Sequence, residues 1–325
     1  MTKAIVIGAI FSTILLKGLF VSCAAAQEMK IGSINWEEGF IKATGQGTAQ
    51  PSGNKGLDQI AATRAATVIA HRALLETIKG VRIDSTTRVE NMMLKEDVIT
   101  AQVSGIVQGA KVLRTSIEWV GEAPLATVEM QICINLDRCT GRPLVAVLGL
   151  ERKADPPYAP QRDFPPPPSQ PSPAPSIQTP AAPPSGGEPK PATPVKRQDR
   201  PKIQPPDPNK PVTGLILDLE GLPFEREILP IVATKGADNQ YLTVYSAKFV
   251  QPKIIRTTGV VRYQTSVEIA KKHPCVGDNV LIVPVESITK ENMLIIPLEG
   301  AKVISESTRY GNNYLGEAKV VIADK

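Results

Sequence analysis

Five groups of residues carry the side-chain types that chemistry needs. Asp218 and Glu220 stand two apart at the end of an apolar run, Thr213–Leu219. On a strand, that spacing turns two carboxylates to one side, where they could hold a cation or share acid–base work. No histidine lies near to complete a metal set, so the ordinary reading is an acid at a strand-to-turn junction. His273-Pro274-Cys275 puts a thiol close to an imidazole. Activated Cys–His pairs usually come from separate segments, and the proline fixes this one in a loop. Gly45-Gln46-Gly47 precedes a helix-forming stretch and invites a phosphate-loop reading, which fails on detail. The third glycine position is Gln50, and no Gly-Lys-Ser/Thr follows, so turn glycines with positive φ are the expectation. Cys133 and Cys139 flank a short turn-forming stretch. A disulfide between them is geometrically reachable in an oxidising compartment; the alternative is a buried Cys133 and an unpaired Cys139. Tyr241, Tyr245, Phe249, Tyr263, Tyr310 and Tyr314 could make a sugar-stacking surface, but aromatics are only 4% of the chain, and core packing is the expected use. With two histidines and no Cys-x-x-Cys, zinc is not expected. The reading is therefore no catalytic, cofactor-binding or metal-binding residues, and no enzyme.

The compartment is read from the N-terminus. Lys3 precedes the apolar run Ala4–Leu16, which is too short to span a bilayer. Ala24-Ala25-Ala26-Gln27 then offers a small-x-small site, with cleavage expected between Ala26 and Gln27. Phe20-Val21-Ser22-Cys23 is a loose lipobox, which makes Cys23 a candidate lipidation site. An uncleaved anchor is the third option. All three readings export the chain to the periplasm or the periplasmic face of the outer membrane, and membrane association would run through Cys23 or the uncleaved N-terminus.

The elements that position these residues fall into two groups. Asp155–Pro211 holds 21 of the 30 prolines. Such sequence lacks backbone donors and apolar side chains, so it reads as a solvated, polyproline-biased linker over residues 154–211. At about 3.1 Å per residue it would, when extended, be long enough to separate two docking points. The domain reading is a signal peptide (1–26), a first module (27–153), the linker, and a second module (212–325). The net charge of +5 does not mark a nucleic-acid binder. Basic and acidic residues number 15 and 14 over 27–153, and 13 and 13 over 212–325. The basic group Lys196, Arg197, Arg200 and Lys202 could touch anionic lipid or cell-wall polymer, but its ordinary reading is charge that keeps a linker soluble.

In the first module, Phe40–Ala43 reads as a strand. A helix is predicted over 57–79, with Ala62, Ala66 and Ala70 forming a small-residue face that a sheet can approach closely. Val98–Val107 alternates and reads as a strand; Lys111–Val120 and Ala126–Leu136 follow as strands. In the second module, strands are expected at 213–219, 228–233, 242–245, 280–285 and 317–322, with short helices at 266–272 and 300–308. The fold class is α+β: two small domains, each an antiparallel or mixed sheet with packed helices, joined by the proline-rich linker.

Three strings carry a resemblance: Ala43-Thr44-Gly45-Gln46-Gly47-Thr48-Ala49 with the alanine-rich helix to Lys79, Gly80-Val81-Arg82-Ile83-Asp84-Ser85-Thr86-Thr87, and Val103-Ser104-Gly105-Ile106-Val107-Gln108-Gly109-Ala110. Together they resemble the domain shared by the Lpp-type twenty-kilodalton outer-membrane lipoproteins and the N-terminal domain of flagellar assembly protein T. Pro211–Asp218, Val276–Asn279 and Ala318–Ile322 resemble a C-terminal domain that accompanies it in some secreted bacterial proteins. The resemblance implies a non-enzymatic envelope domain with no catalytic residues to carry over. The expected function is a structural adaptor or assembly factor with envelope or appendage proteins as partners. The alternative is a binding module for cell-wall glycan or lipid.

Overall fold

A computed structural model describes residues 32–150, 202–236, 240–308 and 312–324. The signal segment with Cys23, Ala26 and Gln27, most of the proline-rich stretch, and Tyr310 lie outside them.

The first half is built on one long helix. Asn54 caps α1 (Lys55–Lys79), its side chain accepting from the backbone N–H groups of Gly56 and Leu57. Every fourth residue from Asp58 to Ile78 is buried, and Ala62, Ala66 and Ala70 are fully so. This face lies on an antiparallel sheet of order β1-β2-β4-β3: β1 (Gly32–Asn35), β2 (Phe40–Thr48), β3 (Lys111–Val120) and β4 (Ala123–Cys133). Gly45 and Gly47 are therefore strand residues of β2, not the turn expected from sequence, and neither has a positive φ. They lack side chains because the helix backbone occupies that space. A Cβ at Gly45 would lie 2.2 Å from the Ala66 carbonyl oxygen, and one at Gly47 would lie 2.3 Å from the Ala66 nitrogen.

Two short helices, α2 (Val89–Lys95) and α3 (Asp97–Gln108), follow. The second overturns the strand expected at 98–107. Its buried residues, Ile99, Val103, Ile106 and Val107, recur at helical spacing. A last short helix, α4 (Leu144–Val147), ends this half.

The second half centres on four parallel strands in the order β8-β12-β5-β9: β5 (Gly214–Asp218), β8 (Arg262–Gln264), β9 (Val280–Pro284) and β12 (Val320–Ala323). Their near-continuous apolar runs suit a sheet covered on both faces. Ile216, Ile282 and Val321 point to the side of α6 (Val267–Lys271), while Leu215, Leu217, Val283 and Ile322 point into the main core. A mixed sheet adds β10 (Ser287–Ile288), β11 (Leu294–Ile296), β6 (Val232–Lys235) and β7 (Tyr241–Tyr245) in that order. Helices α5 (Pro252–Thr258) and α7 (Leu298–Thr308) complete the half. The fold class is α+β.

Residues 202–211, assigned to the linker from sequence, pack on this half. Gln204 exchanges both backbone hydrogen bonds with Ile282 of β9, at 3.0 and 3.2 Å. Asn279 donates to the carbonyls of Asp207, Lys210 and Pro211. The two halves also share one hydrophobic core, and the described residues form a single compact unit. In this arrangement the described halves adjoin, rather than standing apart at the reach of an extended spacer.

Candidate functional site

Two features concentrate chemistry: the seam between the halves and the surface of the first half. The seam is made by residues distant in sequence. The segment before β6 runs along the chain after α1, with Ile228 N–H donating to Arg82 O (3.1 Å) and Leu229 N–H to Ile83 O (2.7 Å). Around it, Arg82 and Arg88 both bind Glu225, at 2.6 and 2.9 Å. Arg226 reaches Glu37 at 2.6 Å and Asp324 at 3.3 Å. Tyr263 lies edge-on to Trp36, with ring centroids 5.4 Å apart.

Glu227 is the most unusual group of the seam. It is 1% exposed, and its Oε2 has no hydrogen-bond partner although Arg82 Nε lies 3.6 Å away. Burial pushes its carboxyl up to about 8. An Asn292 hydrogen bond and the Arg82 charge pull against that rise, and Asp84 adds to it. Its backbone is held by Tyr263, whose hydroxyl donates to Glu227 O (2.7 Å) and accepts from Glu227 N–H (3.1 Å).

The Cys133–Cys139 pair feeds the same seam. The structure joins the two sulfurs, with Cα atoms 5.7 Å apart. The closed loop presents Asp137, which takes two hydrogen bonds from the buried Arg262 guanidinium, at 2.6 and 3.0 Å. Leu136 N–H from the same loop donates to Thr257 O of α5 (2.8 Å).

The other sequence candidates serve local structure. Asp218 Oδ1 accepts from Glu220 N–H (3.1 Å), and Glu220 has φ 51°, so the pair makes the turn that leaves β5. His273 Nδ1 lies 3.0 Å from Cys275 Sγ and accepts from Cys275 N–H at 3.3 Å. Burial lowers the imidazole and pushes the thiol up to about 11, so the sulfur stays protonated near neutrality, the opposite of an activated nucleophile. Tyr245, Tyr263 and Tyr314 are buried, their hydroxyls bonded to Val260 O, Glu227 O and Ser307. These three pack the core and do not form a sugar platform; Tyr241 is exposed. Among the described residues, no group of three or more His, Cys, Asp or Glu is placed to hold a metal ion.

A cleft of about 610 Å³ opens at the carboxyl ends of β5 and β9, the place where open parallel sheets commonly bind ligands. Lys202, Ile203, Glu220, Leu222, Glu286 and Glu299 are among its walls.

Residues 214–324 match a family model described as Treponema pallidum Tp0624, second domain. The match begins at β5 and takes in all eight strands of the second half, with Arg226, Glu227 and Arg262 among its residues. No curated protein matches the chain.

The first half carries most of the exposed apolar surface. Of the large hydrophobic side chains exposed among the described residues, only Tyr241, Leu242 and Ile269 lie in the second half. On α1, Leu57, Ile60 and Val68 are 59%, 51% and 49% exposed. They lie on the face opposite the alanines, in a stripe interrupted by the exposed Arg64, because positions 60 and 68 lie about 200° around the helix from 62 and 66. The helix turns these large apolar side chains outward. The sheet is closed by its small residues instead.

Proposed function

We propose that the protein is a non-enzymatic, exported structural adaptor or assembly factor of the cell envelope, working in the periplasm or at the periplasmic face of the outer membrane. An appendage such as the flagellum is among the assemblies it would serve, in line with the resemblance of its first half to the Lpp-type and flagellar-assembly domains. The observation that carries this reading is the apolar stripe Leu57–Ile60–Val68, displayed on a half that is braced against its neighbour by buried and half-buried charges. Isolated exposed apolar residues need no explanation, but a stripe on one helix face marks a contact surface. The raised Cys275 thiol and the turn role of Asp218 supply further support, since both place reactive side chain types in structural work.

The test is site-specific photocrosslinking in the native host, with the reactive group at position 60 or 68 and a control at Ile269 on the second half. A defined envelope protein crosslinked from 60 and 68 but not from 269, and lost in Ile60→Glu, is the expected result. Adducts with glycan or lipid alone, or none, would overturn the adaptor reading.

A second reading, a module that binds cell-wall glycan or lipid, draws on the cleft beside β5 and β9. Titration with soluble cell-wall fragments, followed by NMR, would favour it if shifts gathered at Ile203, Leu222 and Glu286.

A further inference from the structure

The outer edge of β3 is an open strand of ten residues. Its position in the order β1-β2-β4-β3 leaves one side unpaired among the described residues, and none of its residues is buried. Long open edges recruit further strands, and folds usually blunt them with bulges, prolines or repelling charges. This edge has a register shift between Val112 and Arg114 but no proline, and from Arg114 to Val120 its pairing to β4 is regular.

Its charges do not repel a copy of themselves. Arg114, Ser116 and Glu118 pair with Glu129, Thr127 and Leu125 of β4, the residues that alternate with the buried Ala126, Val128 and Met130 under α1. All three therefore lie on the sheet face away from the helix. Arg114 and Glu118 stand symmetrically about Ser116. If two β3 strands meet antiparallel with Ser116 opposite Ser116, each Arg114 falls opposite the Glu118 of the other copy, twice over. Thr115 falls opposite Ile117 on the helix side. Trp119, 37% exposed with Lys55 Nζ lying 5.3 Å from its ring centre, comes beside Leu113, and Val120 comes beside Val112. An isologous contact must be self-complementary, and this strand meets that requirement in charge.

We propose that β3 pairs with β3 of a second copy about a two-fold axis at Ser116, making one continuous eight-stranded sheet. The inference goes beyond the adaptor reading. It uses a different surface from the α1 stripe and can be measured on purified protein with no partner present.

The experiment is a charge exchange. Wild-type protein, Arg114→Glu, Glu118→Arg, the double variant, and an equimolar mixture of the two single variants are compared by sedimentation velocity over a concentration series reaching the millimolar range. Each single variant places like charges opposite one another at both symmetric positions and should weaken dimerisation about tenfold. The double variant, and the mixture of singles as a heterodimer, should recover it. Both residues are exposed, and the mixture controls for folding because it can recover pairing only if both single variants are folded. A monomeric wild type throughout the series, single variants that dimerise like wild type, or a mixture that fails to recover would each overturn the proposal. A dimer that persists in all variants would place its interface elsewhere and would also overturn it.

Discussion

Gly45 and Gly47 show how a small residue can carry a fold. Each sits where the α1 backbone presses against β2, and neither is replaceable by alanine without moving that backbone. Gly45→Ala should therefore cost at least about 2–3 kcal/mol, and Ala66→Leu, on the opposing face, about 1–3 kcal/mol. Thermal melts would show both as clear drops, and an unchanged midpoint for either would mean the helix stands further from the sheet. Glu227 makes a different prediction. Its carboxyl is held up at about 8 by burial, whereas in the unfolded chain it titrates near 4.3. The folded protein therefore keeps a proton that the unfolded chain releases. The associated stability is full below the unfolded value and is lost as pH rises through the folded one. Each unit of displacement is worth about 1.4 kcal/mol, so wild type should lose a few kcal/mol relative to Glu227→Gln between about pH 4 and about pH 9. Urea midpoints across that range would check it, and parallel curves for the two proteins would refute it.

At the scale of elements, the loop closed by Cys133 and Cys139 couples chemistry to architecture, because Asp137 and Leu136 inside it bind the second half. Replacing both cysteines by serine should lower stability by about 2 kcal/mol through the short loop alone. It should also speed amide exchange at Leu136, whose N–H is bonded to Thr257. An unaltered exchange rate there would mean that the loop holds its shape without the bridge. Elements differ in how legible they were. The alanine stripe of α1 announced its packing face, and the apolar runs of β5, β9 and β12 announced strands. Helix α3 did not announce itself: Val98, Ile99, Thr100 and Val103 favour strands individually, and only the i, i+4, i+7, i+8 set of buried residues marks the helix. Strands β8 and β11, three residues each, are too short for any period to show. The seam was the least legible, because Arg82 and Glu225 are 143 residues apart, and no local pattern tells which distant charge an exposed-looking arginine will meet.

For the whole molecule, the question is what the proline-rich stretch connects. Composition suggests a spacer between independent modules, but its two ends rejoin one body. Leu150 is buried in the shared core before it, and Ile203 packs on that core after it. If the seam holds the halves together, the covalent connection between them is dispensable once the protein has folded. A site-specific protease sequence inserted between Gly186 and Gly187 tests this. After cleavage, denaturing gels should show two fragments, while size exclusion under native conditions should show one species with the elution volume of the uncut protein. Arg262→Ala removes both Asp137 contacts and the bond to Ala318 O. It would leave Asp137 facing the seam without its partner, a loss on the order of 3 kcal/mol for a largely buried pair. The cut Arg262→Ala protein should then separate into its halves at concentrations where the cut wild type does not. Separation of the cut wild type itself would mean that the seam is too weak to make one body of the two halves, and that the intact chain holds them together only as a tether.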